Sequence, residues 1–259
     1  MDLQLAGKRA LVTGASSGIG RAVALQLAAE GVHVAVTARR AALLDGVAAA
    51  IRAHGVEAVA VPADVTDPGA AEQVVAAARR QLGGLDALVN SAGGSSSGGV
   101  LEVPDEAWEQ NIQLKLLGTV RFSRAALPAL TRPGGVIVNV VGGSGKRPSP
   151  RSAVNSVVNA GLLAFTELLA ADAAGQGVRV VAVNPGLTET PLLERLVAAR
   201  ARLQGVAPDA VWEQIRASAP LGRLAQPGDT ARTVAFLVSP LAELISGTAI
   251  DLGGPAAGR

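Results

Sequence analysis

A glycine-rich stretch near the N-terminus has the residue types and spacing that bind a phosphate group. It comprises Gly14, Ser16, Ser17, Gly18, Ile19 and Gly20, follows a short apolar run and opens a segment with helical spacing. Small side chains let backbone amides approach a phosphate, and the N-terminus of a helix adds positive potential. The stretch could form only a tight turn, but its place between a strand and a helix favours a bound pyrophosphate.

Two arginines follow the second predicted strand, where dinucleotide-binding proteins often carry a carboxylate. A carboxylate there accepts hydrogen bonds from a ribose 2′-hydroxyl, whereas Arg39 and Arg40 suit a 2′-phosphate. The pair therefore predicts NADP(H) rather than NAD(H); two solvated arginines that start a helix are the alternative. After the third strand, Asp64 and Val65 border the adenine, or Asp64 only caps the loop before Thr66.

Apolar strands alternate with helices along the chain, which predicts an α/β fold. Strands that are nearly all apolar are buried on both faces, so we expect a Rossmann-type doubly wound parallel sheet in a single domain, residues 1–259. The two longest predicted helices span Ala107–Leu130 and Ala153–Ala174. The rhythm breaks after Pro185, and the segment at about residues 187–222 is predicted to be a helical lid over the substrate.

The composition excludes several classes of function. With no cysteine, the chain has no disulfide, thiolate nucleophile or cysteine-ligated metal, and no His, Asp and Glu cluster has metal-ligand spacing. The net charge is only +2 and no Lys/Arg run exceeds two residues, which argues against nucleic acid. A signal-peptide pattern and an uninterrupted apolar window of about 18 residues are both missing, so we expect a cytoplasmic protein and no membrane partner.

Several motifs occur in the order and at the separations found in one enzyme family. Thr13–Gly20 reads TGASSGIG, Asn90–Gly93 reads NSAG, and Asn184–Gly186 with Thr190 forms a PGxxxT stretch. By these motifs the chain resembles the short-chain dehydrogenase/reductase family from end to end. The resemblance suggests a homodimer or homotetramer through the two long helices. It also implies cofactor contacts from Asn90, Ala92, Gly93, Pro185, Gly186, Thr188 and Thr190.

The same resemblance places substitutions at all four positions of the family's catalytic tetrad. Lys115 stands at the Asn position, Gly142 at the Ser position, Asn155 at the Tyr position and Asn159 at the Lys position. Since the chain contains no tyrosine, the relay in which a Lys lowers the pKa of a Tyr is excluded. An amide at position 155 can orient a carbonyl but cannot protonate it near neutral pH.

The candidate catalytic residues are Lys115, Asn155, Asn159 and Ser144. Lys115 and Asn159 carry, in exchanged places, the two residue types that the family has on facing helices. We hypothesise that Lys115 restores a cation near the nicotinamide or the substrate, with its pKa lowered if it is desolvated. A lysine that reaches solvent, or pairs with Glu102 or Glu109, is the alternative. Ser144 lies in the loop after the fifth strand and either contacts the substrate or belongs to a flexible loop.

Three functions are compatible with these residues. The first is an atypical NADP(H)-dependent reductase of a small apolar carbonyl, enone or imine-type substrate, with a proton from water, the substrate or Lys115. The second is a non-redox isomerase, lyase or cyclase that uses the same crevice. The third is a catalytically silent NADP-binding subunit of an active homologue. We favour the first, because the residues that a cofactor needs are all kept.

Overall fold

A computed structural model describes residues 1–130 and 134–254. Within them the strands form one parallel sheet of seven, in the order β3-β2-β1-β4-β5-β6-β7. The strands are β1 Arg9–Thr13, β2 His33–Ala38, β3 Ala58–Pro62, β4 Ala87–Asn90, β5 Val136–Val140, β6 Arg179–Asn184 and β7 Thr248–Asp251. The predicted doubly wound sheet is confirmed, and no predicted strand is missing.

Helices cover both faces of the sheet. They are α1 Gly18–Ala29, α2 Ala41–Arg52, α3 Ala70–Leu82, α4 Asp105–Asn111, α5 Gly118–Leu130, α6 Ala153–Ala174, α7 Pro191–Gln204, α8 Pro208–Ala217 and α9 Pro227–Val238. Because side chains alternate along a strand, Ala10 and Val12 of β1 join the core under α1 and α9, whereas Leu11 joins the core under α3 and α5. Burial on both faces is why the strands read as continuous apolar runs.

The long helix predicted over 107–130 is wrong in one respect, because it is not a uniform α-helix. Between α4 and α5 the chain forms a π-helical segment, Ile112–Leu117, in which hydrogen bonds span one residue more than in an α-helix. Apolar spacing could not reveal this segment, since the partly buried Ile112, Leu114 and Leu116 continue the apolar pattern of the neighbouring helices. The segment carries Lys115.

The segment predicted as a lid contains α7 and α8, which pack on each other. Leu193 and Val197 of α7 meet Val211 and Ile215 of α8 in a small core of their own, with Trp212 at its edge. Thr190 caps α7 by accepting a hydrogen bond from the Leu193 amide at 3.3 Å. The assignment of one domain over 1–259 with a lid at 187–222 stays a prediction.

By length and hydropathy alone, α6 could cross a membrane. Its best 18-residue window has a mean hydropathy of 1.4, and 39% of that window is buried inside the fold. Val158, Leu162 and Leu169 are buried against the sheet and the neighbouring helices. A core helix passes the same test, and packing in the core accounts for these buried apolar residues of α6.

Candidate active site

The loop after β1 fits a phosphate group closely. Gly14 has φ +65°, and a Cβ there would lie 2.7 Å from the backbone of Ala92, so a larger residue would force β1 and β4 apart. At the start of α1, Ser17 is the N-cap residue but its side chain caps no amide. The first-turn amides are thus free of a side-chain partner and face the crevice with the positive end of the helix. Ile19 anchors the turn by packing against the core.

The NSAG turn is tied to the phosphate loop from below. The Thr13 hydroxyl accepts hydrogen bonds from the amides of Ser91 and Ala92, at 3.0 and 3.1 Å. Asn90 is buried, and its amide nitrogen donates to Ser123 Oγ at 3.0 Å and to Asn139 Oδ1 at 2.9 Å. The side chain of Asn90 therefore joins β4 to β5 and α5 inside the fold, and its predicted contact with a cofactor stays a prediction.

The two predicted 2′-phosphate ligands lie exposed beside the loop. Arg40 Nη2 donates to Ser16 Oγ at 3.3 Å. Arg39 forms an ion pair with Asp64 at 3.9 Å, and the Arg39 side chain remains 69% exposed. Asp64 Oδ1 accepts from both the amide and the hydroxyl of Thr66, at 3.0 and 2.8 Å. These are the hydrogen bonds of the loop cap, and the contact of Asp64 with an adenine stays a prediction. Neighbouring Val65 is buried.

The end of β6 closes the crevice on the other side of the loop. A Cβ on Gly18 would lie 3.4 Å from Thr190 Cγ2, so the predicted PGxxxT stretch reaches the start of α1. Thr188 donates to the carbonyl of Gly186 at 2.9 Å, and a short bridge joins Thr188 to Ala225. Pro185 follows β6 directly, so all the predicted cofactor residues lie along one edge of the sheet.

Lys115 reaches from the π segment into this edge. Its Nζ donates to the Val141 carbonyl at 2.6 Å and to Asn159 Oδ1 at 2.7 Å, and neither Glu102 nor Glu109 is its partner. Its side chain also borders Gly93, where a Cβ would lie 3.4 Å from Lys115 Cδ. Desolvation lowers the pKa of Lys115 from 10.5 to about 8. No carboxylate in the described part of the chain compensates its charge.

Asn159 connects Lys115 to the loop after β5. Its Nδ2 donates to Ser144 Oγ at 2.8 Å while its Oδ1 accepts from Lys115. Gly142 has φ +143°, and a Cβ there would lie 2.8 Å from Asn159 Nδ2. Three of the predicted catalytic residues, Lys115, Asn159 and Ser144, are therefore brought into one hydrogen-bonded group.

Asn155 belongs to a different group. Its Nδ2 lies 2.9 Å from Ser95 Oγ, 2.9 Å from the Ser96 carbonyl and 2.8 Å from Ser152 Oγ, and its Oδ1 accepts from the Ser96 amide at 3.3 Å. Since an amide has only two N–H groups, these three acceptors already exceed its donors. Asn155 fastens the loop of residues 93–99 to the start of α6, and its predicted contact with substrate stays a prediction.

A second polar group supports the same loop, and sequence reasoning missed it. Asn184 Oδ1 accepts from the Gly142 amide at 3.2 Å, and Asn184 Nδ2 donates to Asp251 at 2.7 Å. Lys146 donates to the other oxygen of Asp251 at 3.0 Å. Although burial opposes it, these two hydrogen bonds hold the pKa of Asp251 below its usual value. The only signal for this group was the pairing of Asn184 with Asp251 in neighbouring parallel strands. That pairing is known only once the strand register has been established.

The chain matches known proteins over almost its whole length. A family model described as enoyl-(acyl carrier protein) reductase matches residues 14–254. A 3-oxoacyl-[acyl-carrier-protein] reductase of Staphylococcus aureus is 34% identical over 249 residues, which cover 95% of this chain and 97% of the relative.

No cluster of His, Asp and Glu suited to a metal lies in residues 1–130 or 134–254.

Two solved structures have the same fold. The L-sorbose reductase of Gluconobacter frateurii, complexed with NADPH and L-sorbose, superimposes with a TM-score of 0.92 at 32% identity, over 98% of each chain. A single-residue variant of actinorhodin polyketide ketoreductase with NADPH gives a TM-score of 0.91 at 35% identity, over 95% of this chain and 96% of the other.

Proposed function

Because this chain belongs to the short-chain dehydrogenase/reductase family, we propose that it is an atypical NADP(H)-dependent reductase that works without the Tyr/Lys proton relay. The substrate class is a small apolar carbonyl, enone or imine-type compound. The observation that carries the proposal is the Lys115 ammonium, which is desolvated, hydrogen-bonded to Asn159 and placed against the NSAG turn.

The cofactor proposal rests on the fit of the phosphate loop and the arginines. The free first-turn amides of α1 suit the pyrophosphate, and the exposed Arg39 and Arg40 suit a 2′-phosphate. Bound NADPH supplies a hydride for the substrate carbon. The NADPH in both solved relatives supports the same choice.

Lys115 is proposed to supply the proton. Two of its three N–H groups are used by Val141 and Asn159, and no third acceptor exists among the described residues. The third N–H can therefore donate to a substrate oxygen, stabilise the charge that develops there and transfer its proton. In a carbonyl reduction the carbon gains a hydride and the oxygen gains this proton; water then returns a proton to the amine.

An enone or an imine-type substrate suits this site particularly well. Hydride addition to an enone gives an enolate that the Lys115 ammonium stabilises, and a neutral imine can take the proton of the same ammonium on its nitrogen as its carbon takes the hydride. Asn159 is hydrogen-bonded to both Lys115 and Ser144, and this connected group at the crevice favours an active enzyme over a silent subunit.

The proposal includes a cytoplasmic homo-oligomer. On α6, Val157 and Leu168 are 57% and 68% exposed, and Ala160, Ala164 and Ala171 are exposed between and beyond them. The spacing places these five residues on one face of the helix, where small side chains allow another helix to approach closely. A second copy of α6 would bury this stripe, as a homodimer or homotetramer requires.

The test is single-turnover oxidation of NADPH with a panel of carbonyls, enones and imines, using the wild type and Lys115→Met. We expect substrate-dependent oxidation that falls as the pH rises through about 8, because the proton donor is then lost. Lys115→Met should lower the rate by about 10²–10⁴-fold while NADPH still binds.

Lys8→Met is the matched control, since Lys8 precedes β1 at the opposite end of the strand from the crevice. It should behave as the wild type. Absence of oxidation with every member of the panel, or unchanged turnover in Lys115→Met, would refute the proposal.

A further inference from the structure

The side-chain amide of Asn159 contacts two other catalytic candidates, Lys115 and Ser144. Asn159 is 4% exposed, and its two ends contact Lys115 and Ser144 at 2.7 and 2.8 Å. The inner half of α6 and the π segment pack around Val158, Leu162 and Leu116, so the backbone that carries this amide is held rigidly. Asn159 therefore fixes the direction of the groups at its two ends.

The direction of the amide follows from the chemistry of lysine. An ammonium can only donate, so the atom of Asn159 that faces Lys115 has to be Oδ1. Nδ2 then faces Ser144 and donates to its Oγ. Ser144 must send its own hydrogen elsewhere, and none of the described residues accepts it. The Ser144 hydroxyl thus has one hydrogen left to offer.

The loop after β5 is shaped around this amide. A Cβ on Gly142 would come within 2.8 Å of Asn159 Nδ2, and a Cβ on Gly145 would come within 2.7 Å of the Asn159 carbonyl carbon. Both distances are shorter than van der Waals contact. The contact at Gly142 is with the side-chain amide of Asn159, whereas the contact at Gly145 is with the backbone at Asn159, which any residue there would present. Ser144 stands between the two glycines and is carried to the Nδ2 end of the amide.

We propose that Asn159 is the positioning residue of this site, which fixes the Lys115 ammonium and turns the Ser144 hydroxyl so that each offers one hydrogen to the same substrate oxygen. The inference rests on the proposed reductase function. Ser144 then contributes a neutral donor and Lys115 a charged one, and two fixed donors at a developing oxyanion stabilise it more than one.

The charges around Lys115 make its titration a sensitive probe of Asn159. The titratable groups on the elements packed against it are Asp105, Glu106 and Glu109 on α4, Arg121 and Arg124 on α5, and Glu167 and Asp172 on α6. None of these perturbs the pKa of Lys115, which desolvation alone lowers. The protonated amine is held only by neutral oxygens, so removal or charging of Asn159 Oδ1 has to change its pKa.

The experiment compares Asn159→Leu and Asn159→Asp with Ser144→Ala in the intact protein. The pKa of Lys115 is measured without substrate, from the pH dependence of its reaction with an amine-acetylating reagent, followed by mass spectrometry. Asn159→Leu should lower the pKa below the wild-type value of about 8, because the ammonium loses an acceptor. Asn159→Asp should raise it, and Ser144→Ala should leave it unchanged.

Turnover gives the second readout. In Asn159→Leu we expect a loss of about 10²-fold, the size seen when a fixed donor is removed from an oxyanion site. In Asn159→Asp the decline of activity should move to higher pH together with the pKa of Lys115. Turnover should still fall, because the new carboxylate captures the Ser144 hydrogen.

An unchanged pKa of Lys115 in both Asn159 variants would overturn the inference. If Asn159→Leu does not fold, the nearly isosteric Asn159→Asp decides alone. The labelling needs no substrate, so a protein that reduces nothing in the panel would refute the proposed function while the labelling still decided the role of Asn159.

Discussion

The side chain of Lys115 reaches Asn159, which stands at the position where the family has its catalytic lysine. The Nζ–Oδ1 distance of 2.7 Å shows that the two exchanged residue types meet, which is the geometry expected if Lys115 supplies the cation from the opposite helix. A lysine at 159 would carry its charge on α6, whereas Lys115 carries it on the π segment. Placing the Lys115 ammonium there removes it from water, and this desolvation lowers the pKa of Lys115 to about 8.

The linkage of this pKa to stability has a definite sign. Between about pH 8 and 10.5 the unfolded chain binds more protons at Lys115 than the folded chain does. The destabilising effect of the buried ammonium therefore disappears as the pH rises through this window. Protein stability and the proposed proton donation thus have opposite pH preferences at this residue.

The preference for NADPH is a prediction at the residue scale. Arg39→Ala combined with Arg40→Ala should weaken NADPH binding by about 1.5–3 kcal/mol, since charge-assisted hydrogen bonds to the 2′-phosphate are lost. That is about tenfold to hundredfold in Kd, while the Kd for NADH should change little. Arg79→Ala, an exposed arginine on α3, is the control. Titration calorimetry gives the Kd of NADPH and of NADH. An equal loss of NADH affinity would contradict the 2′-phosphate assignment.

At the scale of elements, the π segment and the loop of residues 93–99 shape the crevice. The π segment shifts Lys115 relative to its place in a regular helix, because its hydrogen bonds span one more residue. Opposite it, Gly98 and Ser152 form a short parallel bridge, and the Gly98 amide donates to the Arg151 carbonyl at 2.9 Å. Asn155 fastens this loop through its side chain.

Removal of the Asn155 amide tests the role of this element. Asn155→Ala should destabilise the fold by about 1 kcal/mol, because its partly buried partners lose their hydrogen bonds. Hydrogen exchange at the Ser96 and Gly98 amides should accelerate, as the loop detaches from α6. Leu244→Ala, at a position that is 94% exposed and lies outside α6, should change neither. Unchanged exchange in Asn155→Ala would show that the bridge alone holds the loop.

At the scale of the whole molecule, the parallel sheet gathers all the candidate residues at one edge. β1, β2, β4, β5 and β6 end side by side, so loops that are distant in sequence become neighbours. The apolar stripe on α6 is exposed in a single chain, as far as the described residues show.

Assembly through α6 is the prediction at this scale. Leu168→Glu should shift the protein toward monomer, because it buries a carboxylate in the stripe between two copies. Light scattering coupled to size exclusion measures the mass. Leu244→Glu is the control, since Leu244 is 94% exposed but lies outside α6. A wild-type monomer, or a Leu168→Glu protein that assembles as before, would rule out this interface.

The sequence by itself determined the fold, the phosphate loop and the absence of a tyrosine relay. Those conclusions depend on local patterns, such as the apolar runs of β1 to β7 and the glycines between Gly14 and Gly20, which carry their meaning in a single stretch of chain. It also named Lys115, Asn159 and Ser144 as candidates, but it could not say whether they touch.

Only the tertiary structure decided which of these residues form a group. The Lys115–Asn159 and Asn159–Ser144 hydrogen bonds join segments 44 and 15 residues apart, and the Lys146–Asp251 ion pair joins segments 105 apart. Asn155 was separated from them because its amide faces the loop of residues 93–99. Such contacts depend on helix rotation and strand register. The hydrophobic pattern fixes these only to within a residue or more, whereas the hydrogen bonds at this site require a more precise placement of the side chains.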